Sequence, residues 1–432
     1  MEQLAVSETI AVLGVGYVGL PTATCLASFG HSVCGYDNNP EKIRNLSNGV
    51  TPMLEPGLQS LLREGLSSNR LRFTTSLVEA VDEADIVFLC LPTPQLADGA
   101  ANVEILHEAT LEIRDRLKGG AILVIKSSVP MGESVAIERL LAREDVHLVS
   151  NPEFLREGFA IHDTLNPGRI VAGAKEESIS RRIGSLFQPG NAPMLVTDNV
   201  TAETIKYVSN AFLAAKTSFI NQVTNLCEVV GADGEDVIEG MSLDPRIGTG
   251  HMRPSPGWGG PCLTKDSHAL LSIGLEHGFE FTMVRAAIEA NDYQLASIVQ
   301  KVRKALGGEL NQKSVAIWGL TFKADTDDLR NSPAIEIAQR LASKGVNLQA
   351  FDPIVKSDRK AALDFLVTFE DPYEACEGAE VLLILTEWSE FKFLDFEKVG
   401  ALLSSRTVID ARNILDPRLL RSLGFTYVGL GR

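Results

Sequence analysis

The segment Gly14-Val15-Gly16-Tyr17-Val18-Gly19 constrains this chain most, because it follows an apolar strand pattern, Thr9 to Leu13, and opens a helical one, Pro21 to Phe29. A G-x-G-x-x-G run in that setting is the phosphate turn of a dinucleotide-binding βαβ unit. Gly14 permits the tight turn, Gly16 lets backbone approach a pyrophosphate, and Gly19 lets helix and strand pack closely. The turn through Tyr17 and Val18 then presents unpaired helix N–H groups to the phosphates. Ser32 to Tyr36 is the next strand, and Asp37 ends it, 23 positions after Gly14. A carboxylate there bonds the ribose hydroxyls of NAD and repels the 2′-phosphate of NADP. Asn38 and Asn39 follow it, with no arginine beside it to receive a phosphate. NAD is therefore the expected cofactor.

Strand and helix patterns go on alternating through residue 199, which implies a parallel sheet. Asp85 to Leu91, Ile122 to Ser127 and Val146 to Ser150 are further apolar runs, the last closed by Asn151-Pro152. Ligands of such sheets lie beyond the carboxyl ends of the strands. Thr93, in Leu91-Pro92-Thr93-Pro94, therefore stands either against the cofactor or in a plain turn. From Val200 the texture changes. Ala202 to Val230 holds no Gly or Pro, and its apolar residues recur at three- and four-residue steps. That is about twice the ~12 residues of an average helix. Such a helix serves either as a dimer interface or as a buried spine.

A Gly/Pro-rich stretch, Gly248 to Pro261, precedes further helical pattern to Leu306. A second α/β unit begins near Ser314. Val315 to Trp318 ends in Gly319, Leu348 to Phe351 ends in Asp352, and Ala379 to Leu385 echoes Ala84 to Cys90. It lacks the full glycine fingerprint, so it reads as a degenerate dinucleotide-type fold holding a different ligand. The expected architecture is α/β, with two Rossmann-like parallel-sheet domains joined by a central helical region that contains a long helix. The expected boundaries are 1–199, 200–306 and 307–432.

Composition narrows the function classes. The 432 residues carry a formal net charge of −16, which argues against nucleic acid or an anionic membrane as partner. It leaves room for an anionic small substrate, because a few placed cations decide local binding. There is no long uncharged apolar run, so no membrane span is expected. Met1 to Thr9 is short and acidic and runs straight into a strand, unlike a signal peptide. Cys25, Cys34, Cys90, Cys227, Cys262 and Cys376 show no zinc or CxxC spacing. They read as thiols of a reducing cytoplasm, and no metal is expected.

Gly257-Trp258-Gly259-Gly260-Pro261-Cys262-Leu263-Thr264-Lys265-Asp266 is the most informative chemical segment. Its glycines make a loop whose backbone can crowd a ligand. Leu263 to Ile273 reads as a helix, so Cys262 sits at or near its N-terminus, where the helix dipole favours thiolate over thiol. Asp266, four residues on, shares its face.

This segment resembles the catalytic cysteine motif of the UDP-glucose/GDP-mannose dehydrogenase family. Lys126-Ser127-Ser128-Val129-Pro130, Asn151-Pro152-Glu153-Phe154-Leu155-Arg156-Glu157-Gly158, Arg246-Ile247-Gly248, Phe322-Lys323 and Thr326-Asp327-Asp328-Leu329-Arg330 resemble further motifs of the family, in the same order. The likeness covers nearly the whole chain and is closest to the UDP-glucose branch. It implies that Cys262 is a nucleophile that captures an aldehyde, with Lys206, Asn210 and ordered water near the reacting oxygen. Asp266 would work with the lysine through water, and Glu153 would activate water for thioester hydrolysis. Glu157 would touch the sugar, as would the loop at Phe154, Leu155 and Gly259. Lys265, Phe322 and Lys323 resemble substrate ligands, the lysines suited to a diphosphate. Arg330 resembles a cofactor contact, and Arg412 would reach the sugar nucleotide. Arg246 would enter the active site of a partner subunit in a homodimer, or in a larger assembly of dimers.

The chain departs from the family pattern at three places. Ser128 stands where threonine is usual, keeping a hydroxyl for a catalytic or cofactor contact. Pro261 replaces a small polar residue, and Trp258 replaces Phe, Tyr or Val.

The implied reaction is a four-electron oxidation of the C6 alcohol of a nucleotide-sugar to a carboxylate, through a thiohemiacetal and a thioester. UDP-glucose is the first expected substrate; dTDP-glucose, GDP-mannose and UDP-N-acetyl sugars follow. A single-step hydroxyacid dehydrogenase of the 6-phosphogluconate type shares the Rossmann domain and long helices but needs no activated cysteine. A non-catalytic NAD or nucleotide-sugar sensor needs none of the cysteine, lysine, asparagine and aspartate set. The carboxylate at Asp37 carries the first prediction: catalytic efficiency with NAD greatly exceeds that with NADP. Steady-state kinetics with both cofactors checks this, and equal efficiencies overturn it.

Overall fold

A computed structural model describes residues 7–96, 99–187, 192–355 and 363–432. Most of the acidic N-terminal segment, Met1 to Val6, lies outside the described residues. The chain forms two compact units. One comprises Met1–Ser209 with Ser272–Gly278, the other Asn210–Leu271 with Phe279–Arg432.

The first unit is built on eight strands: β1 (Thr9–Leu13), β2 (Ser32–Tyr36), β3 (Leu71–Thr74), β4 (Ile86–Leu89), β5 (Ile122–Ile125), β6 (His147–Ser150), β7 (Ile170–Ala174) and β8 (Met194–Thr197). They lie in the order β3-β2-β1-β4-β5-β6-β7-β8. Strands β1, β4 and β5 are almost wholly apolar because both faces of the sheet are covered. Alternation still assigns each residue to one face. Ile10, Val12, Phe88 and Val124 join one core cluster, while Ala11, Leu13, Leu89 and Ile125 join the other. Fully burying one such large side chain contributes ~1.5–3 kcal/mol.

The expectation of an all-parallel sheet holds from β3 to β6 and fails beyond. Strand β7 runs antiparallel to β6, and β8 is parallel to β7. The chain returns from Asn151 to Ile170 through one short helix, Ala160–Leu165, so no crossover over the sheet reverses its direction. Gly173 on β7 admits the next element. A Cβ there would stand 2.3 Å from the carbonyl oxygen of Asp198, where the long helix begins.

That helix spans Asn199–Val230, 32 residues. Ala214, Ile220 and Cys227 on it are buried. Phe212, Phe219, Leu226 and Val230, at steps of seven, seven and four, are exposed. One face of the helix therefore packs as a spine while another leaves an apolar stripe uncovered.

The second unit contains the helices Gly260–Glu276 and Thr282–Ala305 and a six-stranded sheet. Its strands are β9 (Ser314–Trp318), β10 (Asn347–Phe351), β11 (Val367–Phe369), β12 (Val381–Ile384), β13 (Thr407–Asp410) and β14 (Thr426–Val428). All pairings are parallel, in the order β11-β10-β9-β12-β13-β14. The same 3-2-1-4-5-6 order runs from β3 to β6, so each unit carries a Rossmann sheet with its switch point beside the first strand. Among the described residues, no helix is long and apolar enough to cross a membrane.

Candidate active site

In the first unit the three glycines of the turn stand in three different situations. Gly14 has φ +90°, and a Cβ on it would meet the Cys90 carbonyl oxygen at 2.6 Å. At Gly19 a Cβ would fall 1.9 Å from the Gly14 carbonyl oxygen, so helix Gly19–Ser28 and strand β1 close on each other there. Nothing lies within 4 Å of a Cβ at Gly16. One glycine makes the turn, one the packing contact, and one leaves room for a ligand. Tyr17 and Val18 between them are half-buried. The arrangement fits a pyrophosphate on the helix N-terminus.

Asp37 is buried at the end of β2. Its carboxylate accepts from the Asn39 N–H at 3.1 Å and from Lys42 Nζ at 2.7 Å. Sequence reading found no arginine beside Asp37 but overlooked this lysine. Lys42 is one turn into the following helix, Pro40–Ser47, and that helical spacing was the available signal. Thr93, also buried, donates its hydroxyl to the Ser128 carbonyl at 2.9 Å, which ties the loops after β4 and β5 together.

Beyond β5 and β6 lies a buried charged network. Glu153 accepts from Lys206 Nζ at 2.7 Å and from the Leu155 N–H at 2.6 Å. Lys126 donates to Asn151 Oδ1 at 3.0 Å, and Asn151 donates to the Val171 carbonyl at 2.7 Å. Burial pushes the Glu153 carboxyl up, but the Lys206 ammonium, the Leu155 amide and Lys126 together hold it below the usual carboxylate range. Burial pushes the Lys126 ammonium down to about 8. Phe154 lies between Arg169, 3.8 Å from its ring, and Lys206, 5.7 Å away. Leu155 and Glu157 are half-buried.

Glu203, which sequence reading passed over, is buried three positions before Lys206. It accepts from the Gly132 and Ser134 N–H groups and the Ser150 hydroxyl. It thereby ties the Lys206 helix to the segment after β5 and to the end of β6. Lys126, whose role the motif alone does not reveal, is marked in the sequence by its place directly after the apolar run of β5.

The second unit holds the cysteine loop. Trp258 Nε1 donates to Ser218 Oγ at 2.8 Å, and Asn291 brackets the Trp258 backbone. These bonds pin the loop to the long helix and to helix Thr282–Ala305. Cβ atoms at Gly259 and Gly260 would stand 2.2 Å from the Asn331 carbonyl oxygen and 2.7 Å from the Phe322 ring. The paired glycines thus let the loop press against the segment 322–331.

Helix Gly260–Glu276 begins two residues before Cys262, so the cysteine lies in its first turn, exposed. One turn on, Asp266 is fully buried. It accepts from Asn210 Nδ2 at 2.6 Å, and Lys265 Nζ lies 2.8 Å from its other oxygen. The other five cysteines are buried. Burial pushes Cys25, Cys90 and Cys376 up to about 12 and Cys34 to about 11.

The remaining expected ligands also lie in the second unit. Half-buried Phe322 and Lys323 follow the turn at Gly319. Arg412 donates to the Leu385 carbonyl at 2.8 Å and to the Phe322 carbonyl at 3.1 Å. Arg330 pairs with Asp328. Arg246, highly exposed, pairs with Asp244 two residues away. The structure thus gathers Glu153 with Lys206, and Asn210 and Lys265 with Asp266, while Arg246 and Arg330 are held by carboxylates of their own segments.

Asp352, at the end of β10, takes the Leu320 and Thr321 N–H groups at 2.7 and 3.1 Å. An internal carboxylate therefore occupies the amides after the glycine turn of this sheet, whereas the turn of the first unit keeps open space beside Gly16.

Two Rossmann sheets, one of them with an open glycine turn, define a class: nicotinamide-dependent dehydrogenases. Comparison with known proteins is more specific. Residues 8–191 match the NAD binding domain of the UDP-glucose/GDP-mannose dehydrogenase family, 200–293 its central domain and 316–417 its UDP binding domain. A UDP-glucose 6-dehydrogenase of Rhizobium meliloti is 39% identical, with 98% of this chain and 99% of the relative covered. One from Bacillus subtilis is also 39% identical, covering 98% and 93%. The solved UDP-glucose dehydrogenase of Pyrobaculum islandicum superposes with a TM-score of 0.92 at 34% identity, covering 100% and 99%. The UDP-D-ManNAc dehydrogenase of Pyrococcus horikoshii gives 0.88 at 29%, covering 98% and 99%. The chain belongs to the UDP-glucose/GDP-mannose dehydrogenase family, and it is an NAD-dependent enzyme.

The Glu153–Lys206 pair carries a stability prediction. Glu153→Gln removes the counter-charge of two buried ammoniums and costs ~3–5 kcal/mol, whereas adding Lys206→Met restores part of the loss. Because the folded-state pKa of Glu153 is depressed, its contribution is complete above the usual carboxylate range and is lost as pH falls through the folded value. Urea unfolding of parent, single and double variants at pH 7 and pH 4 checks this. A single variant as stable as the parent at pH 7 overturns it.

Proposed function

We propose that this enzyme oxidises the C6 alcohol of UDP-glucose to the carboxylate of UDP-glucuronate. The observation that carries the reading is Cys262, the exposed one of six cysteines, in a helix's first turn with buried Asp266 one turn behind it. UDP-glucose is favoured because relatives of that name reach 39% identity, against 29% for a UDP-D-ManNAc dehydrogenase.

The turn from Gly14 to Gly19, with Asp37, Thr93, Ser128 and Arg330, would hold NAD, which when bound accepts one hydride in each of two rounds. Lys323, Lys265 and Arg412 would hold the nucleotide-sugar in the section from residue 307 and the adjoining cysteine helix. Phe154, Leu155, Glu157, Gly259 and Phe322 would surround the sugar. Loss of the first hydride from C6, with the hydroxyl proton passing through water to solvent, leaves an aldehyde. A free aldehyde has no good hydride to give, so the Cys262 thiolate adds to it and forms a thiohemiacetal that keeps a C–H bond. Loss of the second hydride leaves a thioester. Lys206 and Asn210 stabilise the oxyanions, Asp266 shares a proton with the lysine through water, and Glu153 prepares the water that cleaves the thioester. The exposed stripe at Phe212, Phe219, Leu226 and Val230 would be covered by a second copy of the chain about a two-fold axis. Arg246 would then leave Asp244 for the partner's site. The enzyme would work in the cytoplasm.

Each substrate should yield two NADH and one acid, with no aldehyde released. Cys262→Ser should lose steady turnover yet retain a slow covalent ester by mass spectrometry, since an ester hydrolyses much more slowly than a thioester. Cys262→Ala should give no adduct. One NADH per substrate in the parent, or parent-like turnover by Cys262→Ala, would return the reading to a simple alcohol dehydrogenase. Assembly has its own test. Mixing Arg246→Ala chains with Cys262→Ala chains should restore one working site in some mixed dimers, and no recovery after proven subunit exchange refutes the shared site.

A further inference from the structure

Thioester cleavage needs a water that arrives while the sugar nucleotide is still covalently held. A cavity of about 340 Å³ in the first unit leads to Glu153. Exposed Asn166, Gly168 and Arg169 line it toward solvent, and buried Lys126, Asn151 and Glu153 line its inner part. The inner wall is built to stay wet. An ammonium has three N–H donors, and the Lys126 hydrogen bond to Asn151 Oδ1 uses one. The face of the Phe187 ring, 4.6 Å from Nζ, satisfies the charge only weakly. A buried ammonium in that position requires further acceptors, and water in a polar cavity supplies them. Of the Glu153 oxygens, Oε2 accepts from the Leu155 N–H and Oε1 from Lys206 Nζ, and a carboxylate oxygen can accept a second hydrogen bond beside the first.

We infer that this cavity is the inlet for the hydrolytic water: solvent enters past Gly168, is held by Lys126 and Asn151, and is handed to Glu153. The inference rests on the proposed thioester at Cys262. In the step it serves, water oxygen bonds to the thioester carbonyl carbon and Glu153 takes one water proton. The C–S bond then breaks, its electron pair leaving on the Cys262 sulfur. The acid formed releases its own proton to solvent, and nothing is oxidised or reduced. Lys126 is thus a positioning residue, acting through the water and through Glu153.

The mouth can be narrowed without straining the fold, because a Cβ at Gly168 meets nothing within 4 Å. Gly168→Trp and Lys126→Met are compared with the parent and with Gly168→Ala by rapid-mixing kinetics and intact-protein mass. Both variants should release two NADH per site at the parent rate in the first turnover. Steady turnover should then fall about tenfold or more, with acylated Cys262 accumulating. KM for NAD should not move, and Gly168→Ala should match the parent. A structural defect would slow the burst as well, and that outcome counts against the inlet. Should Lys126→Met fail to fold, Gly168→Trp decides alone. Parent-like steady turnover by Gly168→Trp, with two NADH per substrate in the parent, overturns the inlet and leaves the thioester standing. One NADH per substrate in the parent removes both.

Discussion

A carboxylate buried among cations organises the first unit around its chemistry. Glu153 stands directly after Asn151-Pro152, where strand β6 ends, and its partner Lys206 is on the long helix. Taking such charges out of water costs several kcal/mol per ion, so the pair persists only if its geometry is held from several sides. Glu203 provides one of those holds. One helical turn from Lys206, it binds the amides of Gly132 and Ser134 and the hydroxyl of Ser150, which fixes the helix against the loops that carry Ser128 and Glu153. Gly173 provides another, because only a glycine lets the start of that helix come so close to β7. The apolar layers on both faces of the sheet supply the rigidity, and the polar ties convert it into a fixed position for one ammonium.

The two Rossmann sheets show how one scaffold is turned to two uses by a single carboxylate. Gly14 and Gly319 occupy the same place, each at positive φ after the first strand of its sheet. Each second strand ends in an aspartate. In the first unit Asp37 turns toward Asn39 and Lys42, and the glycine turn keeps an open side at Gly16. In the second, Asp352 turns inward to the amides of Leu320 and Thr321, with Trp388 Nε1 at 3.3 Å. Amides already bound to a carboxylate are not available to a pyrophosphate. The turn of the second sheet therefore does not offer those two amides to a ligand.

Much of this was legible in the sequence because it rests on local rules. Strands β1 and β2 begin and end where their apolar runs do, and the long helix extends the expected Ala202–Val230 by three residues at its start. The strand ends at Leu89 and Ile125 came out shorter than Leu91 and Ser127 because the last residues of each run leave the ladder to form the ligand-facing loops. Strands β3, β7 and β8 were not read, and the reversal at β7 was not either. Direction is decided by how the chain returns, and a hydrophobic run is the same in both directions. The site residues named by motif were found where motifs reach. Lys42, Glu203 and Asp352 were missed as partners because their roles depend on tertiary contact, which single charges in a sequence do not announce.

Cys262 shows most clearly that environment rather than residue type assigns chemistry. Cys90 follows β4 and reaches the edge of the cofactor turn, so position alone would make it a nucleophile as credible as any. Burial pushes its thiol to about 12, and the nearby Lys126 ammonium only partly opposes that. At neutral pH it stays a thiol and packs as a small apolar group. Cys262 has the opposite surroundings: an exposed sulfur, a helix N-terminus beneath it, and lysine at Lys265 in the next turn. The two glycines before it are what allow this. With any Cβ at 259 or 260 the loop would be forced off Asn331 and Phe322, and the first helical turn that presents the sulfur would move with it. The requirement for glycine at those positions is therefore steric at its origin and chemical in its effect.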